Sequence, residues 1–294
     1  MIQKKVLIFG AGKRVRTDVL PSFREIGILE NLVLVRKTDT KLEEFPNIQI
    51  VAEDNFEKSR IREFYLIIFC VAPKTLDYLL KKYFNELRSM LILVDTPVIS
   101  NSTILKDIDS ISSLRILEDN GLIPLRNFLS FDLEKSKIII IFRALYYYHG
   151  MALLTSLFEN SELRILRILP KFINQYLTLL KYRSGPFVIW FHFRNYQKSS
   201  IFWFTFQDKW QIDNSTKKSR EYVFKLEEQF SSELMSKFRK LLNDREIIEK
   251  SITSNMLYWK RLGLFLGLER LIKSGDNVFP SLESALANEL PWLK

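Results

Sequence analysis

Three short stretches of this 294-residue chain carry groups suited to chemistry. The first is Gly10-Ala11-Gly12, which follows the apolar run Val6–Phe9 and leads into Lys13 and Arg14. A glycine at the end of a strand lets the chain turn tightly at Gly10. A second, lacking Cβ, lets a phosphate approach the backbone at Gly12, and the two cations add positive charge. The third glycine of the dinucleotide fingerprint is absent, because Val15 stands there; by itself the motif reads equally as a plain strand-to-helix turn. The second stretch is Arg36-Lys37-Thr38, which follows another apolar run, Leu32–Val35. A carboxylate at the end of strand two binds both ribose hydroxyls of NAD, whereas an arginine pairs with a 2′-phosphate. If a nucleotide binds, Arg36 and Lys37 therefore favour NADP, with NAD the alternative. The third is His149, one of two histidines, whose imidazole titrates near neutrality and can give or take a proton. A buried histidine satisfied by a carbonyl is the competing reading. His192 lies in an aromatic run and reads as packing or interface.

The elements that must position these groups follow from periodicity. Short apolar runs are expected as strands at Val6–Phe9, Leu32–Val35, Ile48–Val51, Leu66–Val71, Leu91–Val94 and Leu114–Leu117. Helices are expected between them: one capped by Thr17 or Asp18 with Pro21 in its first turn, one over Asp54–Phe64, and one over Leu76–Leu87. This alternation predicts a doubly wound parallel sheet of Rossmann type over residues 1–122. Its ligand would lie at the carboxyl ends of the strands: Gly10–Arg14, Arg36–Thr38, Ala72–Lys74, Asp95–Pro97 and Glu118–Asn120. Residues 123–294 read as an α+β domain with a mixed, mostly antiparallel sheet. There Ile138–Tyr148 is an expected strand, Phe187–Arg194 and Ile201–Phe206 an expected antiparallel pair, and Trp210–Ile212 a further strand. Leu257–Ile272 reads as a helix stopped by Gly275, and the last helices of the chain are expected to pack back on the first domain.

Composition narrows the function classes. A net charge of +10 favours anionic partners such as a nucleotide. One cysteine, Cys70, excludes an intrachain disulfide; set in an apolar run, it reads as a small core residue, and a cytoplasmic location is expected. No run approaches the roughly 18 uncharged apolar residues of a membrane span. Two histidines and one cysteine, far apart, make no metal-ligand spacing. The aromatic stretch Phe187–Phe206 carries Arg194 and Lys198, but it lacks an RNP-type glycine and aromatic pattern. It reads as core or subunit interface, through which a homo-oligomer could form, rather than as a nucleic-acid platform.

Taken in order, VLIFGAG with Leu20-Pro21, FCVAP, LVDTP, YYYHG and the closing GLFLGLERLIKSGDNVFPSLESAL resemble the Gfo/Idh/MocA family, the glucose-fructose oxidoreductase and inositol dehydrogenase group of NAD(P)-dependent enzymes. The pieces span almost the whole chain. The resemblance implies hydride transfer at a carbon bearing a hydroxyl, carbonyl or imine, commonly on a sugar or sugar nucleotide. The resemblance adds Ala72, Pro73, Asp95 and Pro97 to the cofactor residues read from the strand ends, Gly10, Gly12, Lys13, Arg14, Arg36 and Lys37, and sets His149 at the family's active-site histidine. The family's Glu-Lys-Pro motif is replaced by Asp95-Thr96-Pro97, and its aspartate four residues before the histidine by Leu145. A threonine hydroxyl hydrogen-bonds but supplies no fixed cation. Thr96 and Tyr148 are the polar groups left to assist His149. These departures keep a second reading open, a non-catalytic relative that binds a nucleotide or sugar as a sensor or assembly partner.

Overall fold

A computed structural model describes residues 4–95, 113–118, 138–143, 163–171, 175–182, 187–193, 201–205, 209–212 and 256–283. The chain forms two compact units, Met1–Asp119 with Leu264–Lys294, and Asn120–Gly263.

In the first unit six strands make one parallel sheet: β1 (Val6–Phe9), β2 (Leu32–Arg36), β3 (Gln49–Ala52), β4 (Leu66–Phe69), β5 (Leu91–Asp95) and β6 (Leu114–Leu117). Their order is β3-β2-β1-β4-β5-β6. Every residue of β1 and β4 is buried, and a strand covered on both faces needs an unbroken apolar run rather than alternation. The strand order reverses between β1 and β4, and doubly wound sheets take their ligands in the crevice at the carboxyl ends there. Beneath that crevice Phe9 stacks on Phe69, with ring centroids 4.8 Å apart and planes 8° from parallel. Phe56 meets Phe9 edge-on at 5.9 Å, and Tyr83 lies 5.3 Å away.

The helical connections depart from the expected ones in three places. The first helix opens at Lys13, widens to a π-turn over Val15–Val19 and continues as α1, Leu20–Ile26. Thr17 and Asp18 are therefore inside it and cap nothing. Pro21 explains the π-turn: its ring would crowd the carbonyl four residues back, and it has no N–H to offer. The Leu20 N–H instead reaches the Val15 carbonyl. Asp54–Phe64 is not an α-helix but two 3-10 turns, Glu53–Asn55 and Lys58–Glu63. Phe56 and Ile61 are five residues apart, about 140° around an α-helix. Extended backbone at Phe56, between the turns, lets Phe56, Ile61 and Phe64 all reach the core. The expected Leu76–Leu87 helix starts earlier, at Pro73, and breaks at the buried Tyr83 into α2 (Pro73–Lys82) and α3 (Phe84–Leu87).

The last described helix is α4, Met256–Ser274. From Leu264 onward it belongs to the first unit and buries Leu264, Phe265, Leu268, Leu271 and Ile272. Its carboxyl end receives the Lys4 ammonium at the Ile272 carbonyl and the Tyr65 hydroxyl at the Leu271 carbonyl, so a cation meets the negative end of the helix. Gly275, at φ +75°, ends it. Pro280 then accepts the Ile116 N–H at 2.9 Å, and Ser281 pairs with Arg115, covering the β6 edge of the sheet.

The second unit contains β7 (Ile138–Arg143), β8 (Leu163–Lys171), β9 (Gln175–Tyr182), β10 (Phe187–Phe193), β11 (Ile201–Thr205) and β12 (Lys209–Ile212), in the order β12-β11-β7-β10-β9-β8. Only the β7–β10 pairing is parallel. The expected direct pairing of Phe187–Arg194 with Ile201–Phe206 is thus corrected: β7 lies between β10 and β11. Ile138–Phe142 is an unbroken apolar run, which suits a central strand.

Phe9→Ala should destabilise the protein by about 3–5 kcal/mol, because it removes the ring on which Phe56, Phe69 and Tyr83 converge. Urea unfolding followed by far-UV circular dichroism checks this; a loss below about 1 kcal/mol would contradict that central place.

Candidate functional site

The site is built at the carboxyl ends of β1, β2, β4 and β5. The Gly10 N–H donates to the Val35 carbonyl of β2 at 2.9 Å, and the Cys70 N–H donates to the Phe9 carbonyl at 2.9 Å. Gly10 has φ +106°, and a Cβ there would lie 2.3 Å from the Cys70 carbonyl oxygen. Only glycine fits this place, on both conformational and steric grounds. Gly12 differs: it is exposed, and a Cβ on it would meet nothing within 4 Å. Its open side faces unfilled space, as a close-approach site for a phosphate requires. The first helix starts at once, with the Arg16 N–H on the Gly12 carbonyl at 3.2 Å, so its opening N–H groups lie beside the turn.

The cations around the turn divide into two kinds. Lys13 and Lys37 are exposed. Arg36, the last residue of β2, donates to the Thr40 carbonyl at 3.3 Å and forms no ion pair among the described residues. Thr38 and Thr40 share a hydroxyl bond of 3.1 Å beside it. Arg14, by contrast, is held by carboxylates: Nη1 donates to Asp18 Oδ2 at 3.0 Å, and Nε lies 3.7 Å from Asp95 Oδ1. Asp18 is only 7% exposed, unusually buried for an aspartate, and the arginine is what makes that tenable. Its role as partner was legible only as an i,i+4 Arg–Asp spacing; Asp95 comes from 81 positions further along the chain.

Beyond β4, Ala72 and Pro73 open α2, with the Ala72 carbonyl accepting the Thr75 and Leu76 N–H groups, both at 2.9 Å. Cys70 is partly exposed as a residue, yet burial pushes its thiol well above the ordinary pKa, and Asp95 adds to the rise. Arg14 opposes the shift and Asp18 reinforces it. The thiol is thus held protonated, which fits a wall residue and not a nucleophile. The structure brings Gly10, Gly12, Lys13, Arg14, Arg36, Lys37, Ala72, Pro73 and Asp95 to one end of one sheet. Thr96, Pro97, Asp119, Asn120, Tyr148 and His149 lie outside the described residues. Among the described residues no group of three His, Cys, Asp or Glu could hold a metal ion, and no helix is long and apolar enough to cross a membrane.

No protein-family model matches the chain, and no curated protein matches it in sequence. Solved structures match it in fold. A probable dehydrogenase from Thermotoga maritima is 12% identical, with 97% of this chain and 93% of that one covered at a TM-score of 0.61. A myo-inositol dehydrogenase from Corynebacterium glutamicum is 11% identical over 98% and 93%, at 0.57. The dehydrogenase MviM from Clostridium difficile is 13% identical over 69% and 74%, at 0.55. These structural neighbours are dehydrogenases of the Gfo/Idh/MocA type. At such identities the likeness is one of fold. Three of the segments that resemble the Gfo/Idh/MocA family in sequence fall at the carboxyl ends of strands: VLIFGAG at β1, FCVAP at β4, and LVD closing β5.

Gly10→Ala and Gly12→Ala should separate structure from binding. The first should cost at least about 2 kcal/mol, from a strained φ and a backbone clash; the second should stay within about 1 kcal/mol of the parent. Denaturant midpoints check both. At pH 7 the Cys70 thiol should react with iodoacetamide more slowly than an unperturbed thiol. Its rate should climb only above the usual thiol range, and Asp95→Asn, which removes a raising charge, should move that climb to lower pH.

Proposed function

We propose that this chain is an NAD(P)-dependent oxidoreductase that binds NADP(H), with NAD(H) the alternative, along the carboxyl ends of β1, β2, β4 and β5. One observation carries the choice of cofactor. At the end of β2 stands Arg36, without a carboxylate partner among the described residues and one residue beyond the carbonyl that fixes Gly10. An unneutralised guanidinium there suits a 2′-phosphate, and an exposed Lys37 adds a second cation. The open space at Gly12 suits the pyrophosphate, with Lys13 beside it; strand-end position and the family resemblance assign Ala72, Pro73, Asp95 and Pro97 to the rest of the cofactor. When bound, the nicotinamide gives or takes a hydride at a hydroxyl, carbonyl or imine carbon. The chain's own part is to orient the substrate and move the accompanying proton. His149 takes the proton-handling role, and Thr96 and Tyr148 hydrogen-bond the substrate oxygen. A sugar, polyol or sugar-nucleotide substrate is the leading class, supported by a myo-inositol dehydrogenase among the proteins of this fold. The second-unit sheet is the surface proposed for homo-oligomer formation.

A second reading has its own observation. Thr96 and Leu145 stand where the family keeps a lysine and an aspartate, which favours a nucleotide- or sugar-binding relative without turnover. Bound NADPH that stays reduced across a broad panel of sugar carbonyls and imines would support that reading.

Parallel fluorescence titrations with NADPH and NADH test the cofactor assignment. Micromolar NADPH affinity, tighter than NADH, is expected. Arg36→Asp should weaken NADPH by at least about tenfold, the scale of one charge-assisted hydrogen bond, and hold or tighten NADH, because the new carboxylate can bind the ribose hydroxyls. Equal affinities, or an Arg36→Asp variant as tight as the parent, would contradict it.

A further inference from the structure

Among the described residues, Arg14 is the one cation beside the glycine turn with a carboxylate within 4 Å on two elements. Its Nη1 bond to Asp18, 3.0 Å long, lies within the first helix, and its Nε approach to Asp95, 3.7 Å, reaches the last residue of β5. In the sheet β5 stands two strands from β1, with β4 between. One guanidinium, carried on the first helix, therefore stands within 4 Å of a carboxylate of its own helix and of the carboxylate that closes β5. Cys70, just beyond β4, feels Arg14, Asp18 and Asp95 together. The side chains of the three are 16%, 8% and 19% exposed, so salt screens them less than a surface pair.

We infer that Arg14 is a positioning residue of the nucleotide site: a brace that ties the glycine turn to the end of β5, and not itself a phosphate ligand. The inference rests on the nucleotide reading above. A phosphate on Arg14 would have to displace one carboxylate or sit beside two anions. A planar guanidinium can hydrogen-bond Asp18 through Nη1 while its delocalised charge faces Asp95 at 3.7 Å, an electrostatic approach in which Nε makes no hydrogen bond among the described residues; a lysine ammonium is a single point charge. The phosphates are then left to the turn backbone and Lys13, and the height of that backbone above the sheet is what Arg14 sets.

Opposite signs distinguish a brace from a ligand. If Arg14 held a phosphate, Asp95→Asn would release it from a competitor and tighten NADPH, and Arg14→Lys would keep most of the affinity, since lysine serves phosphate as a point charge. For a brace, Asp95→Asn weakens NADPH severalfold, Arg14→Lys loses as much as Arg14→Gln, and the Arg14→Gln/Asp95→Asn double variant binds no worse than Arg14→Gln alone. Losses that add would assign Asp95 a direct contact and overturn the brace. Backbone amide exchange of the nucleotide-free protein supplies a readout that needs no ligand. The Arg16 amide, bonded to the Gly12 carbonyl, should exchange faster in Asp95→Asn and in Arg14→Lys than in the parent. Unchanged exchange would overturn the brace. Failure of the parent to bind NADPH, with faster exchange in the variants, would sink the nucleotide reading and leave the brace standing.

Discussion

The backbone of Gly10 has no room for a Cβ, and the rest of the site depends on that. Its N–H is held by the Val35 carbonyl on one side, and the Cys70 carbonyl closes the other. The turn is thereby wedged between the ends of β2 and β4, at the point where strand order reverses. Everything downstream inherits its place: Gly12 opens to unfilled space, the first helix begins immediately, and Arg36 stands one residue past the carbonyl that holds Gly10. Beneath, the Phe9–Phe69 stack fixes the strand ends from the core side. Close packing makes such a wedge rigid, since neither neighbour can retreat without disturbing a buried strand.

Charge is distributed unevenly over this frame. At the β4–β5 side the cation is consumed internally, between Asp18 and Asp95. At the β2 side Arg36 is bound only to a carbonyl among the described residues. On the proposed reading, this uneven distribution gives a protein that is basic overall an anion site at one strand end and a braced floor at the neighbouring ones. The π-turn forced by Pro21 belongs to the same economy of form, because it lies in the helix that carries both Arg14 and Asp18.

Much of the first unit was legible in the sequence. A parallel strand buried on both faces has an unmistakable apolar run, and β1 and β6 have the expected bounds, while the other four shift by one or two residues. What periodicity could not reveal were exceptions to it. Phe56, Ile61 and Phe64 reach the core through 3-10 turns whose spacing mimics a broken helix. In β8, Leu163, Ile165, Leu166, Ile168 and Leu169 fit helical and strand spacing alike, and Pro170 argues against a strand except at a sheet edge, where β8 lies. The β10–β11 pairing misled because neighbours in sequence usually pair, and here β7 intervenes. In the site, the glycine turn and Arg36 announced themselves by residue type. The link from Arg14 to Asp95 did not, because nothing in a sequence ties positions 81 residues apart.

The most direct measurement of the central claim is a crystal structure of the protein grown with millimolar NADPH. The account predicts the dinucleotide along the carboxyl ends of β1, β2, β4 and β5, its 2′-phosphate on the Arg36 guanidinium and its pyrophosphate over Gly12, with Arg14 still between Asp18 and Asp95. An empty crevice at that concentration, or a 2′-phosphate that leaves Arg36 untouched, would contradict it.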